Sequence, residues 1–223
     1  MLLAIDSATR VLSLALHDGV RVQAEMTWSS PNRHTVELTP AIQELLTRAH
    51  STVDALTALA ISQGPGSFNG LRIGFSIAKG LAMARGLPLF AIPTLDVVAA
   101  AQPSFAGALI AVLQAGRGRV CAGSYLWQDS AGWIGQNDLR IVSWEEVLDR
   151  IDGESMICGE IDPYGRALIE ASSRPVRMAA PAFSLRRAGF LAELAYERWR
   201  DGLFDDPATL VPIYLHQPGV PHP

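Results

Sequence analysis

The stretch Gly64-Pro65-Gly66-Ser67-Phe68-Asn69-Gly70-Leu71-Arg72-Ile73-Gly74 follows a short apolar run, Leu59-Ala60-Ile61-Ser62, and opens an apolar segment that runs to Gly86. A strand that breaks at Gly-Pro-Gly and re-forms as a helix leaves backbone N–H groups free at the helix start. Together with the positive end of the helix dipole, those groups suit either an anion or a tightly docked backbone. Glycine serves where the chain turns sharply or is approached closely. No Gly-Lys-Ser/Thr follows, so this is not a Walker loop. Gly64, Gly66 and Ser67 are candidates for an anion loop, the alternative being a plain strand-to-helix turn.

Beyond the loop, the only charges between Leu71 and Arg85 are Arg72, Lys79 and Arg85. The segment has no broad polar face, and a helix that is apolar all round is covered all round. Gly70, Gly74, Ala78 and Ala82 recur at spacing four and make a stripe of small residues. Such a stripe lets another helix approach closely, because side chains set the distance between helix axes. Leu71, Phe75, Ile77 and Leu81 then face something else, most simply a sheet. The second helix belongs either to this chain or to another protein. The expectation taken forward is a partner face made of this stripe and of Leu38, Ile42 and Leu45 on the preceding helix.

Upstream, Leu3 and Ile5, then Leu12, Leu14 and Leu16, show the period of two expected of strands. His17-Asp18-Gly19-Val20 carries the Asp-Gly signal of a tight hairpin into a third strand at Val22–Glu25. A helix is expected over 36–50, with Pro40 bending it or delaying its start. A strand at 58–62, a helix at 70–85, a strand at 88–92 and a helix at 94–101 complete the first half. Downstream, Leu109-Ile110-Ala111-Val112-Leu113 echoes Leu2-Leu3-Ala4-Ile5, and strands follow at 120–125 and near 134–142. Ser143-Trp144-Glu145-Glu146 is a capping-box start to a short helix, followed by a strand at 155–159, a long helix at 183–200 and an apolar stretch at 210–215. The pattern predicts an α/β protein built from duplicated βββαβα lobes. Pro93 and Pro103 flank the join, giving lobes at 1–104 and 105–216, and the tail 217–223, with three prolines, is expected to be disordered.

The 223 residues can bury a real core. Apolar residues make up 49% and charged ones 18%, with mean hydropathy +0.20. No apolar run reaches the ~18 residues that a membrane helix needs, and Asp6 and Arg10 interrupt the start, which argues against a signal peptide. Two cysteines, Cys121 and Cys158, with no Cys-x-x-Cys, point to a reducing compartment without structural zinc. A net charge of −4 does not favour direct nucleic-acid binding.

The turn Asp6-Ser7-Ala8-Thr9 joins the first two strands. A carboxylate at a strand end, followed by hydroxyls, can hold a metal-bound phosphate, although Asp and Ser also simply favour turns. Aligning the halves puts Gln114 opposite Asp6, and Gln cannot act as a general base. Cys158-Gly159-Glu160 offers one glycine where an adenosine-cradling Gly-Gly is expected. His34 has Leu38, not a second His, at i+4, so no metal pair forms. Ser67 lacks the Gly-x-Ser-x-Gly setting of a nucleophile. Arg174, Arg177, Arg186 and Arg187 read as a solvated basic face. No catalytic residue, metal or cofactor is assigned; nucleotide binding is weak at most, at Asp6, Ser7 and Thr9 with the Gly64–Ser67 loop.

Ala4-Ile5-Asp6-Ser7-Ala8-Thr9, Arg33-His34-Thr35, Gly64 through Gly74, Pro93-Thr94-Leu95 and Pro212-Ile213-Tyr214-Leu215 together resemble the TsaB (YeaZ-like) family, in order over nearly the whole chain. The resemblance implies the actin/Hsp70-like (ribonuclease H-like) fold and a cytoplasmic role in making threonylcarbamoyladenosine at position 37 of ANN-decoding tRNAs. It also implies a non-catalytic subunit that supports the paralogue TsaD with the ATPase TsaE, and that pairs with itself or with TsaD through the first-lobe helices, so a homodimer is expected when it is alone. Gln114-Ala115-Gly116 replaces the family's Asp-Ala-Arg, Asn69 stands where Thr is usual, and Tyr214-Leu215-His216 replaces Tyr-Leu-Arg. The residues leave two other readings, an ATP-dependent small-molecule kinase of the actin-like superfamily and a peptidase. The half-absent nucleotide equipment and the missing nucleophile count against them.

Overall fold

A computed structural model describes residues 1–214; the tail 217–223 and the Leu215-His216 part of the terminal motif lie outside the described residues. The chain divides into two units. Among the described residues, one comprises 1–97 and 187–214, the other Val98–Arg186.

In the first unit, β1 (Leu2–Asp6), β2 (Val11–His17) and β3 (Val22–Ser29) form an antiparallel meander. It is followed by α1 (His34–Arg48), β4 (Ala58–Gly64), α2 (Phe68–Arg85), β5 (Leu89–Pro93) and α3 (Thr94–Ala100). The sheet runs β3-β2-β1-β4-β5, with β4 parallel to both β1 and β5. Strand periodicity decides its two faces. Leu3, Ile5, Leu14, Leu16, Leu59 and Ile61 point to one side, where they meet α1 and α2; Leu2, Ala4, Ala15, Ala58 and Ala60 point to the other. Both faces are covered, which is why β1 is buried at every position. α1 begins at His34, ahead of Pro40, so the proline does not delay it.

The second unit repeats the plan. β6 (Ala108–Gly116), β7 (Arg119–Gln128), β8 (Gly132–Gly135) and β9 (Arg140–Ser143) precede α4 (Trp144–Asp149), β10 (Ser155–Gly159), α5 (Pro163–Ala171), β11 (Val176–Met178) and the single turn α6 (Pro181–Ser184). Its sheet order, β8-β7-β6-β10-β11, matches the first strand for strand. Two copies of one antiparallel-then-parallel sheet establish the duplicated actin-like, ribonuclease H-like α/β architecture. The expected third strand near 134–142 is two short strands, β8 and β9, both paired with β7. The capping box forms as expected, with the Ser143 hydroxyl accepting from the Glu146 amide and the Glu146 carboxylate from the Ser143 amide.

The domain boundaries differ from the expectation at 104 and 216. The helix expected over 183–200 breaks at Leu185–Arg187, and its main part, α7 (Ala188–Arg200), belongs to the first unit. The physical reason is complementarity of small residues. Ala188, Leu191, Ala192 and Ala195 cover the Ala4, Ala15, Ala58 and Ala60 side of the first sheet, a surface flat enough for close approach that would otherwise face water.

Candidate functional site

The turn after β1 and the loop before α2 meet in the first unit. Asp6 and Ser7 are fully buried. Asp6 Oδ1 accepts from the Ala8 amide at 3.0 Å and from the Ser62 hydroxyl at 3.3 Å. Ser7 Oγ donates to the Gly70 carbonyl at 2.9 Å, and Thr9 Oγ1 accepts from the Val11 amide at 3.3 Å. The Ser67 amide at the helix entrance donates to the Ala8 carbonyl at 2.6 Å, and the Gly70 amide to Ser67 Oγ at 3.4 Å. Two of the N–H groups at the helix start, those of Ser67 and Gly70, thus go to a docked backbone and a cap. A Cβ at Gly66 would lie 2.3 Å from the Ala8 carbonyl oxygen, and Gly64, at φ +111°, donates its N–H to Thr94 Oγ1 at 3.1 Å. Asp6, Ser7, Thr9, Gly64, Gly66 and Ser67 are therefore brought together, and the loop sits on the turn.

The small-residue stripe is corrected by its packing. Gly70, Gly74, Ala78 and Ala82 are buried within the first unit, as are Leu38, Ile42 and Leu45. A Cβ at Gly70 would lie 2.3 Å from the Ser7 carbonyl oxygen, and one at Gly74 would lie 2.2 Å from Ser7 Oγ. The stripe exists so that α2 can lie against β1 and its turn, not against a partner helix. Leu38, Ile42 and Leu45 are the inward face of α1 and belong to the hydrophobic core. None of these residues is available to another protein. The outward row of α2 is different: Ile73 and Ile77 are half-buried, and Gly80, Met83 and Ala84 are exposed. A Cβ at Gly80 would meet nothing within 4 Å.

His34, the lone histidine at the α1 start, is a packing residue. It is buried and its Nε2 lies 2.7 Å from the Thr9 carbonyl oxygen, tying α1 to the first turn. Among the described residues no group of three His, Cys, Asp or Glu side chains lies close enough to hold a metal ion. Burial pushes the Cys121 thiol up to about 12 and raises that of Cys158 too, so neither supplies a thiolate near neutral pH.

In the second unit Gln114, the residue aligned with Asp6 by sequence, lies within β6, which runs on to Gly116. Its amide donates to Glu160 Oε2 at 3.1 Å and its side-chain nitrogen to the Glu160 carbonyl at 2.9 Å. Glu160 Oε1 in turn pairs with Arg186 at 3.1 Å, a guanidinium only 3% exposed. Arg186 therefore does not belong to a solvated basic face, and it lies in the break of the helix expected at 183–200. Glu160 and Arg186 were not legible as a pair, because 26 residues separate them.

These features define a class: an actin-like α/β protein of two duplicated lobes, whose first turn is bonded to its own α2 loop and whose second lobe carries Gln114 within β6. The family model for tRNA N6-adenosine threonylcarbamoyltransferase, TsaD, matches residues 24–134. Among curated relatives, the tRNA threonylcarbamoyladenosine biosynthesis protein TsaB of Escherichia coli is 34% identical over 152 residues, 67% of this chain and 65% of that protein. The chain thus spans just under two thirds of that relative's length. TsaB of Bacillus subtilis is 29% identical over 76% of this chain and 75% of that protein. The solved structure of YeaZ from Pseudomonas aeruginosa superposes with a TM-score of 0.78 at 26% identity, covering 96% of this chain and 99% of that one. Along most of its length the chain is similar to proteins of the TsaB (YeaZ-like) family.

Proposed function

We propose that this protein is a non-catalytic subunit in the synthesis of N6-threonylcarbamoyladenosine at position 37 of ANN-decoding tRNAs, docking on the catalytic paralogue TsaD and acting with the ATPase TsaE. The biosynthetic role follows from the family; the relatives above carry that function in their names. The observation that carries the non-catalytic part is the closed first turn. The Ser67 N–H donates to the Ala8 carbonyl and Ser7 Oγ to the Gly70 carbonyl, so the turn that holds the buried Asp6 and the loop that precedes α2 bond to each other. In this reading the protein is cytoplasmic, uses no cofactor and binds nucleotide weakly at most. It pairs with itself when TsaD is absent and leaves tRNA to its partners. No helix among the described residues is long and apolar enough to cross a membrane.

The docking face in this reading is the outward row of α2, Ile73, Ile77, Gly80 and Ala84, replacing the buried stripe. Gly80 supplies the close approach, being exposed with open space where its side chain would be. Gly80→Arg tests this directly. Replacing an exposed mid-helix glycine should hold or raise the melting temperature, since glycine costs a helix roughly 0.5–1 kcal/mol. The same change should weaken association with TsaD, and self-association, by about tenfold or more, the equivalent of ~1.4 kcal/mol. A variant that melts normally and binds TsaD like the wild type removes this face from the interface. Steady phosphate release from Mg²⁺-ATP by the isolated protein, abolished by Asp6→Ala, would replace the subunit reading with the kinase reading.

A further inference from the structure

The terminal Pro212-Ile213-Tyr214 motif has no place in the docking face just described, yet its contacts are among the most specific in the first unit. The Ile213 amide donates to the Gln63 carbonyl at 2.8 Å. The Ile213 carbonyl oxygen lies 2.0 Å from where a Cβ on Gly64 would sit, so only glycine admits it there. Lys79 Nζ donates to the Leu210 carbonyl at 3.0 Å. The Tyr214 ring lies 4.8 Å from that of Phe68, and its hydroxyl accepts from Arg72 Nε at 3.3 Å. The Arg72 guanidinium in turn lies 3.9 Å over the Phe68 ring. One short extended segment therefore touches the end of β4, the Gly64 loop, the first turn of α2 and its middle.

The segment also alternates. Leu210, Pro212 and Tyr214 are partly buried, while Val211 and Ile213 are exposed. That is the period of an extended chain with one side laid against the protein. The contacts reach α2 at Phe68, Arg72 and Lys79, spaced four and seven residues apart, which is one side of the helix.

We infer that Leu210–Tyr214 is a latch. It holds Gly64–Gly66 and the first turn of α2 in their seat against Ala8, and docking of a partner on α2 depends on its being closed. The second part of this inference rests on the docking reading above. Tyr214 is then a positioning residue that acts through Phe68 and Arg72. A segment held by a few side-chain and edge contacts opens locally well below the free energy of global unfolding, so its release is separable from loss of the fold.

The experiment compares the full chain with Tyr214→Ala and with a chain ending at Leu210, reading amide hydrogen exchange and TsaD affinity on the same samples. With the latch gone, exchange at Ser67–Leu71 should rise about tenfold or more, ~1.4 kcal/mol of local opening, while β1, β2 and α7 keep wild-type protection. TsaD affinity should fall by a similar factor. Unchanged exchange at Ser67–Leu71 in both variants overturns the latch, and so does equal acceleration across β1, β2 and α7, which is a loss of global stability. If exchange rises at Ser67–Leu71 and TsaD binding holds while Gly80→Arg abolishes it, the control of docking is overturned and the docking face stands. If neither change affects TsaD binding, the docking reading falls and control of docking with it.

Discussion

Gly74→Leu should leave the first unit unable to fold normally. A Cβ at position 74 would already lie 2.2 Å from Ser7 Oγ and 3.0 Å from Ile61 Cδ1, before the rest of a leucine side chain is added. Neither neighbour has room to yield. Ser7 is fully buried and its hydroxyl is held to the Gly70 carbonyl, and Ile61 is in the middle of the sheet core. Relief requires α2 to lift from β1 and β4, which loses apolar burial along the helix. Overpacking a tight core typically costs about 1–3 kcal/mol and sometimes more, and helix displacement puts this site at the upper end. A chain of this size loses about 2–4 °C of melting temperature per kcal/mol, so the expected fall is roughly 6–12 °C at ~3 kcal/mol, with poor soluble yield. Thermal melts of Gly74→Leu beside Gly80→Leu on the same helix are the measurement. Equal, near-wild-type melting of the two would mean that the inner stripe is not packed as described.

Arg186→Ala should destabilise the second unit by about 3 kcal/mol, since removing one member of a buried ion pair strands the other. The Arg186 side chain is 2% exposed and that of Glu160 24%, so the carboxylate retains some contact with water and the loss lies at the lower end of the usual range. Glu160 also accepts the Gln114 amide, so its displacement would loosen the end of β6 as well. Denaturant unfolding with a probe in the second unit measures the effect. The double variant Glu160→Gln/Arg186→Met, which replaces the pair with a neutral amide and an apolar side chain, should recover at least half of the loss. A single variant within ~1 kcal/mol of wild type, the range of exposed pairs, would show that the pair contributes no more than a surface one.

The two cases share a lesson about the small-residue stripe and the basic cluster. Spacing four along α2 correctly marked a face that something approaches closely, yet it could not say what. A glycine stripe looks the same whether the approaching atoms belong to a partner helix or to the Ser7 backbone. Likewise Arg174, Arg177, Arg186 and Arg187 are near in sequence and look equivalent. Glu160, 26 residues away from Arg186, singles that one out for burial. Tight docking of the Gly64 loop was one of two open meanings of a helix start rich in glycine, and the bond from the Ser67 amide to the Ala8 carbonyl is a contact of that kind.

By itself the sequence determined the local elements and their duplication. Period-two runs, the Asp-Gly hairpin, the Ser143 capping box and the echo of Leu2–Ile5 in Leu109–Leu113 are signals carried by neighbouring residues, and short-range sterics and hydrogen bonding are enough to read them. It also carried the resemblance to the TsaB (YeaZ-like) family, through motifs spread in order along the chain. Only the tertiary structure decided which face of each helix is inward, that α7 returns to the first sheet, and that Ile213 and Tyr214 close over Gly64 and Phe68. Each of these depends on contacts between residues far apart in sequence, where the free energy comes from burying surfaces that fit one another. A one-dimensional pattern shows that a surface is apolar or small, and the fit is settled only when the opposing surface is in place.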